Sequence, residues 1–417
     1  MSTIAAPEIR ENNQSWTPVL LLALAFMLNY ADRQFFFAVF AQVRLDLTLS
    51  DALLGLTGSV FAWSYAVAMP VAGYMADRMP RHRLVIAALI LWSLATLGTS
   101  VSRNLSQLIF WRGMMGLTEA LFVPSAFALI ATIYPITSRS RAISALGLAQ
   151  FVGLSIGGMY GGWSAQQFGW RRGSQFLVVT GLAYSAILIW RFWGFHSASV
   201  PIPAERPSPF KAVRSLPFLL LAAVFFAFCA MLWVIYAWLP TVVHERYQLN
   251  LTQSGVTSSL CLQIGSALGV LTGGVLGDWA VTKPFTSRIE VALGGVLGCS
   301  PFALLIFSTH SLFLLQIATF CFGLSAGIFI ANTFSCLYDF TDRSNLSFAT
   351  GCLNMLGGAG AGAAIFLAGI FKNTRGIASL MLWTLLFADG ASIALFALAQ
   401  RRRKRHQTPA VERPIRS

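Results

Sequence analysis

An all-α membrane protein, with twelve transmembrane helices in two six-helix bundles, is the fold class that this sequence predicts. Three observations predict it. Of the 417 residues, 56% are hydrophobic and only 11% charged, with a mean hydropathy of +0.68, whereas soluble domains carry about 25% charged residues. The apolar residues fall into twelve runs, each long enough to cross ~30 Å of hydrocarbon at ~1.5 Å per residue. A single long polar gap, 197–215, splits those runs six and six.

Residues 1–16 are polar, carry both signs of charge and lack an apolar core, so they read as a cytoplasmic tail and not a cleaved leader. The N-terminal bundle, 17–196, holds runs at 17–40, 51–76, 83–102, 106–134, 143–164 and 174–194. The linker, 197–215, is rich in proline (Pro201, Pro203, Pro207, Pro209) and basic (Arg206, Lys211, Arg214). The C-terminal bundle, 216–399, holds runs at 216–241, 253–277, 289–308, 312–337, 347–371 and 377–399. Residues 400–417 form a basic cytoplasmic tail that opens with Arg401-Arg402-Arg403-Lys404-Arg405.

Lysine and arginine set the orientation. With both termini in the cytoplasm, Arg44, Arg103, Arg171, Arg172, Arg246, Lys372 and Arg375 fall outside, and Arg33 and Arg112 fall within the membrane. Every other basic residue lies on the inner side. The formal net charge of +14 therefore reads as topology, with no nucleic-acid partner. The six cysteines sit in or beside apolar runs as small buried hydrophobes. The five histidines are dispersed, without metal-ligand spacing. Gly357-Gly358-Ala359-Gly360-Ala361-Gly362 has no preceding strand and no following lysine, so close helix packing explains it better than a phosphate loop. No catalytic constellation and no cofactor or metal site is expected, and the energy source would be an ion gradient.

Charge inside the apolar runs is the exception that points to function. The first run contains Asn29-Tyr30-Ala31-Asp32-Arg33-Gln34. A charge at a helix centre costs about 2.5–3.5 kcal/mol on insertion scales, and such residues usually mark a transport path. A self-neutralising structural pair is the alternative. The fourth run contains Arg112 and Glu119, seven residues apart and thus on one face, ~10 Å apart in height. Counted from the outer ends of their runs, Arg33 and Arg112 should be level, with Glu119 nearer the midplane. Asp389, mid-way along the last run, reads as protonated or paired with a neighbour, or as a second proton site.

The two halves repeat a motif: Gly73-Tyr74-Met75-Ala76-Asp77 closes the second run and Gly274-Val275-Leu276-Gly277-Asp278 closes the eighth. Such correspondence suggests repeats related by an axis along the membrane normal. Gly73 through Arg83, with Asp77-Arg78 and the basic Arg81 and Arg83, resembles the signature of the major facilitator superfamily, although Pro80 replaces a glycine and Trp279 an arginine in the second copy. The resemblance covers nearly the whole chain. It implies two bundles that alternate access, and an inner gate of Gly73, Asp77, Arg78, Arg81, Arg83, Gly274 and Asp278. In that gate the glycines admit a neighbouring helix and the acids lock the inner side.

Within the superfamily, Asn29-Tyr30-x-Asp32-Arg33 with Arg112-Gly113-x-x-Gly116-x-x-Glu119 looks like the anion:cation symporter branch, which carries sugar acids and other carboxylates. Tyr236-x-Trp238-Leu239-Pro240 is similar to that branch too. The first- and fourth-run pattern also resembles Spinster-like lipid transporters. The resemblance implies that runs 1, 4, 7 and 10 line one hydrated cavity, with Arg33 and Arg112 binding substrate and Asp32 and Glu119 coupling protons. Tyr65, Gln150, Tyr236, Trp238, Gln263, Asn332 and Asn354 are weaker binding candidates, each also readable as an interhelical hydrogen bond. The expected protein is a monomeric carrier of a small organic anion in a bacterial inner membrane, with a lysolipid carrier or drug antiporter as alternatives.

Overall fold

The computed structural model of the chain describes residues 15–192, 213–282, 287–341 and 346–407. Most of both tails and of the linker lies outside these residues. The helices are α1 (Thr17–Ala38), α2 (Phe40–Asp46), α3 (Asp51–Arg78), α4 (Arg81–Val101), α5 (Leu105–Glu119), α6 (Phe122–Ile133), α7 (Ile136–Gln167) and α8 (Trp170–Arg191) in the first half. The second half has α9 (Leu216–Tyr247), α10 (Leu251–Val281), α11 (Arg288–Ser308), α12 (Leu312–Phe340), α13 (Leu346–Thr374) and α14 (Ile377–Gln407). Twelve spans of these helices are long and apolar enough to cross a membrane, in agreement with the sequence reading.

Local chemistry sets where the helices begin and break. Ser50, Asn104, Ser215, Asn250 and Ser311 each accept a backbone N–H at their helix's amino end, and Asn250 forms a reciprocal capping box with Gln253. The fourth span is interrupted between α5 and α6, at Ala120–Leu121. Pro124 explains the break, because it has no amide hydrogen to give the Ala120 carbonyl four residues earlier. Glu119 is left at the very end of α5.

In the first half α1 packs on α7, and α3 and α4 both pack on α5. In the second half α10 and α11 pack on α12, and α9 on α13 and α14. The bundles meet along two seams, α3 with α13 and α7 with α10. Each seam is tight at one end only. On the face opposite the termini, a Cβ at Gly55 would come within 2.8 Å of the Ile365 carbonyl, and Gly162 abuts the Leu251 backbone. Only glycine fits there. On the terminal face the same four helices carry Gly73, Gly147, Gly274 and Gly351, where a Cβ would meet nothing within 4 Å among the described residues. The bundles are thus closed on the far face and parted on the terminal face.

Candidate functional site

Four charged side chains converge between α1 and α5, all at least nine-tenths buried: Asp32 (6% exposed), Arg33 (3%), Arg112 (1%) and Glu119 (0%). Arg33 Nε donates to Glu119 Oε2 at 2.5 Å. The Arg33 guanidinium lies 4.5 Å from the Tyr65 ring centre, 4.7 Å from Tyr30 and 5.4 Å from Phe61. Arg112 lies 4.0 Å from the Phe36 ring and 4.7 Å from Phe61. The two guanidiniums thus share one ring, that of Phe61. Asp32 accepts a bond from the Thr96 hydroxyl on α4 at 2.8 Å.

Arg112 differs from the other three. Its Nη1 reaches only the Met115 sulfur, at 3.0 Å, while Nε and Nη2 have no hydrogen-bond partner among the described residues. The aromatic faces offset part of its burial, worth about 2 kcal/mol for a desolvated cation–π pair. A buried guanidinium with no carboxylate bound to it is otherwise unfavourable. Arg33 Nη2, Glu119 Oε1 and both amide atoms of Asn29 complete no well-formed hydrogen bond among the described residues, although Asn29 lies against Glu119 and Tyr65 against Arg33. One side of the cluster is therefore a pair of free N–H donors with acceptors close by. An anionic, hydroxylated group would satisfy both.

The second bundle closes over this cluster. Trp233 lies 6.4 Å from Phe61 and 6.2 Å from Phe37, with Tyr236 6.1 Å further on. Tyr236 is in turn against Gln263. Tyr65, Tyr236 and Gln263 are therefore brought to the cluster. The Gln150 side chain is only half-buried. Trp238 and Asn332 need correction. Trp238 is fully buried in a seam, where its Nε1 donates to the Ile365 carbonyl at 3.0 Å. Asn332 Nδ2 donates to the Gly273 carbonyl at 2.8 Å, joining α12 to α10. Asn354 donates to Thr350 within its own helix, at 3.0 Å. The expected hydrated cavity does not reach the four charges, which are at most 6% exposed.

Among the described residues, the members of the expected inner lock make no contact between the bundles. A Cβ at Gly73 or Gly274 would meet nothing within 4 Å among the described residues. Arg78 stacks on its own helix's Tyr74 at 3.9 Å, and Arg83 is exposed. Arg81 donates to the Ala128 carbonyl at 3.1 Å and to the Thr132 hydroxyl, pinning the α4 start to the end of α6. Asp278 pairs with Arg288 inside its own bundle, at 2.7 Å. The Asp77 side chain lies outside the described residues. Asp389 accepts from the Ser300 hydroxyl at 2.7 Å, linking α14 to α11.

The lock that does exist is on the far face, and sequence reasoning missed it. Arg44 on α2 binds Asp51 and Glu245, each at 2.9 Å, and Lys372 binds Glu245 at 2.8 Å and Asp51 at 3.2 Å. Asn373 adds a bond to Asp51 at 2.9 Å. This ring alternates sign and crosses between bundles twice. Burial alone would lower the Arg44 guanidinium; the two carboxylates outweigh it and raise it above its ordinary value. Sequence reasoning also gave no role to Asn29, Gln34, Phe36, Phe61, Thr96 or Trp233. Polar residues in apolar runs signalled the first two; nothing in the sequence signalled which aromatic rings would line the cluster.

The chain is similar in sequence and fold to known transporters. The Probable galactarate/D-glucarate transporter GudP of Bacillus subtilis (strain 168) is 24% identical, over 70% of this chain and 72% of that protein. Protein spinster homolog 1 of Rattus norvegicus is 29% identical, over 69% of this chain and 59% of its own length. The chain thus spans about three-fifths to three-quarters of these relatives. A solved bacterial homolog to human lysosomal transporter, Spinster, in an inward-facing and unoccupied conformation, has the same fold. It superposes with a TM-score of 0.79 over 94% of this chain and 98% of that one, at 18% identity. Residues 22–289 match the profile described as Major Facilitator Superfamily, and the chain belongs to that family of membrane transporters.

Proposed function

We propose that this transporter carries a small organic anion, of the sugar-acid type, by proton symport with alternating access. The observation that carries the reading is Arg112: a buried guanidinium whose Nε and Nη2 face no acceptor, the two-donor fork that matches a carboxylate. Asn29 and Glu119 Oε1, which lie against each other without a well-formed bond, supply polar atoms for substrate hydroxyls. When the substrate carboxylate draws on the guanidiniums, Glu119 gives up its bond to Arg33 and takes a proton. For a monocarboxylate, reclosure then moves a neutral load; a dicarboxylate needs a second proton for the same balance. The excess of basic residues on the terminal face supports cytoplasmic termini, and short loops support a bacterial inner membrane.

The test is thermal stabilisation of the purified protein by galactarate, D-glucarate, an aldonate and a lysophospholipid at two pH values. A sugar acid should stabilise the wild type, more so at the lower pH, and fail to stabilise Arg112→Ala. Loss of the fork costs about 3 kcal/mol, roughly a 150-fold weaker Kd. Near-normal affinity in Arg112→Ala refutes the fork. The 29% identity with spinster homolog 1 favours one second reading, a lysolipid carrier. Stabilisation by the lysophospholipid alone would select it.

A further inference from the structure

Pro240 lies inside α9 and has no amide hydrogen, so the carbonyl of Tyr236, four residues earlier, is denied its helical donor. The donor comes from the other bundle. Gln34 Nε2 reaches the Tyr236 carbonyl at 3.1 Å. Gln34 is 3% exposed and directly follows Asp32 and Arg33, one residue from the ion pair with Glu119. Its Oε1 has no partner among the described residues, so this single donated bond fixes the amide. The surrounding seam is shut: a Cβ at Gly55 of α3 would come within 3.3 Å of the Trp238 ring, two residues further along α9.

We infer that Gln34 and the carbonyl released by Pro240 form an interbundle latch that couples the charge cluster to α9. With the far face closed, the carbonyl has no water and needs Gln34. With the far face open, water replaces Gln34. A shift of α1 that breaks Arg33 from Glu119 also moves Gln34, and so reaches α9 one residue away. Gln34 is a positioning residue and acts without touching the solute. The inference rests on the alternating-access reading above.

Hydrogen exchange read by mass spectrometry, in nanodiscs without added solute, tests it. The peptides to follow cover 44–55 and 369–376 on the far face, and 141–150 and 348–355 on the terminal face. Gln34→Leu should cut the far-closed population roughly 5- to 150-fold, the loss for one unsatisfied buried group. Uptake then rises on the far face and falls on the terminal face. Adding Pro240→Ala returns an amide hydrogen to α9, so the double variant should regain the wild-type pattern. An unchanged pattern in Gln34→Leu, a uniform rise on both faces, or no rescue in the double variant overturns the latch. Lys372→Ala, which breaks the ion ring, separates the two claims. If it gives reciprocal changes and Gln34→Leu does not, only the latch falls; if neither variant responds, alternating access falls too.

Discussion

Arg112 and Glu119 illustrate a trade at single residues between stability and function. Burying the Arg112 guanidinium against Phe36 and Phe61 without a carboxylate destabilises the solute-free protein. Arg112→Leu should therefore raise the melting temperature of the solute-free protein, by a stability gain on the order of 1 kcal/mol, while losing the thermal shift from a sugar acid. A lower melting temperature would mean that the guanidinium is already paired. Glu119→Gln removes the titrating acid but keeps a polar partner for Arg33. Solute exchange should survive and accumulation down a pH gradient should fail; accumulation at the wild-type level rules out Glu119 as the coupling acid. These four charges were legible in the sequence because they are two charged pairs in two otherwise uncharged apolar runs. The misplaced candidates, Trp238 and Asn332, had the right residue type, but their direction on the helix depends on packing that a run of letters does not carry.

At the scale of helices, length and hydropathy determined the twelve spans, and Ser and Asn caps and Pro124 determined their ends. Which end of the molecule is locked was not legible. The far-face ring joins Asp51 to Lys372, 321 residues apart, and each of its members alone looks like a loop charge. Arg44 and Lys372 share both carboxylates, so their effects cannot be independent. In a double-mutant cycle, Arg44→Ala and Lys372→Ala should couple by about 0.5–3 kcal/mol in far-face opening, measured by hydrogen exchange. Strict additivity would show that the ring is two unconnected surface pairs, worth little each.

At the scale of the whole molecule, two bundles that meet at Gly55 and Gly162 and part at Gly73 and Gly274 form one of the two states that alternating access needs. The family signature around Gly73–Arg83 announced a terminal-face lock, and the structure has the other face closed instead; a motif names where contacts can form, not which state a structure occupies. The charge cluster lies in the closed half of the interface, within reach of α9 through Trp233 and Tyr236. Accumulation of a radiolabelled sugar acid in proteoliposomes, with an inward proton gradient imposed and then collapsed, tests the central claim most directly. The account predicts accumulation above equilibrium that vanishes with the gradient and is absent in Arg112→Ala. Accumulation that ignores the gradient, or that persists in Arg112→Ala, would contradict it.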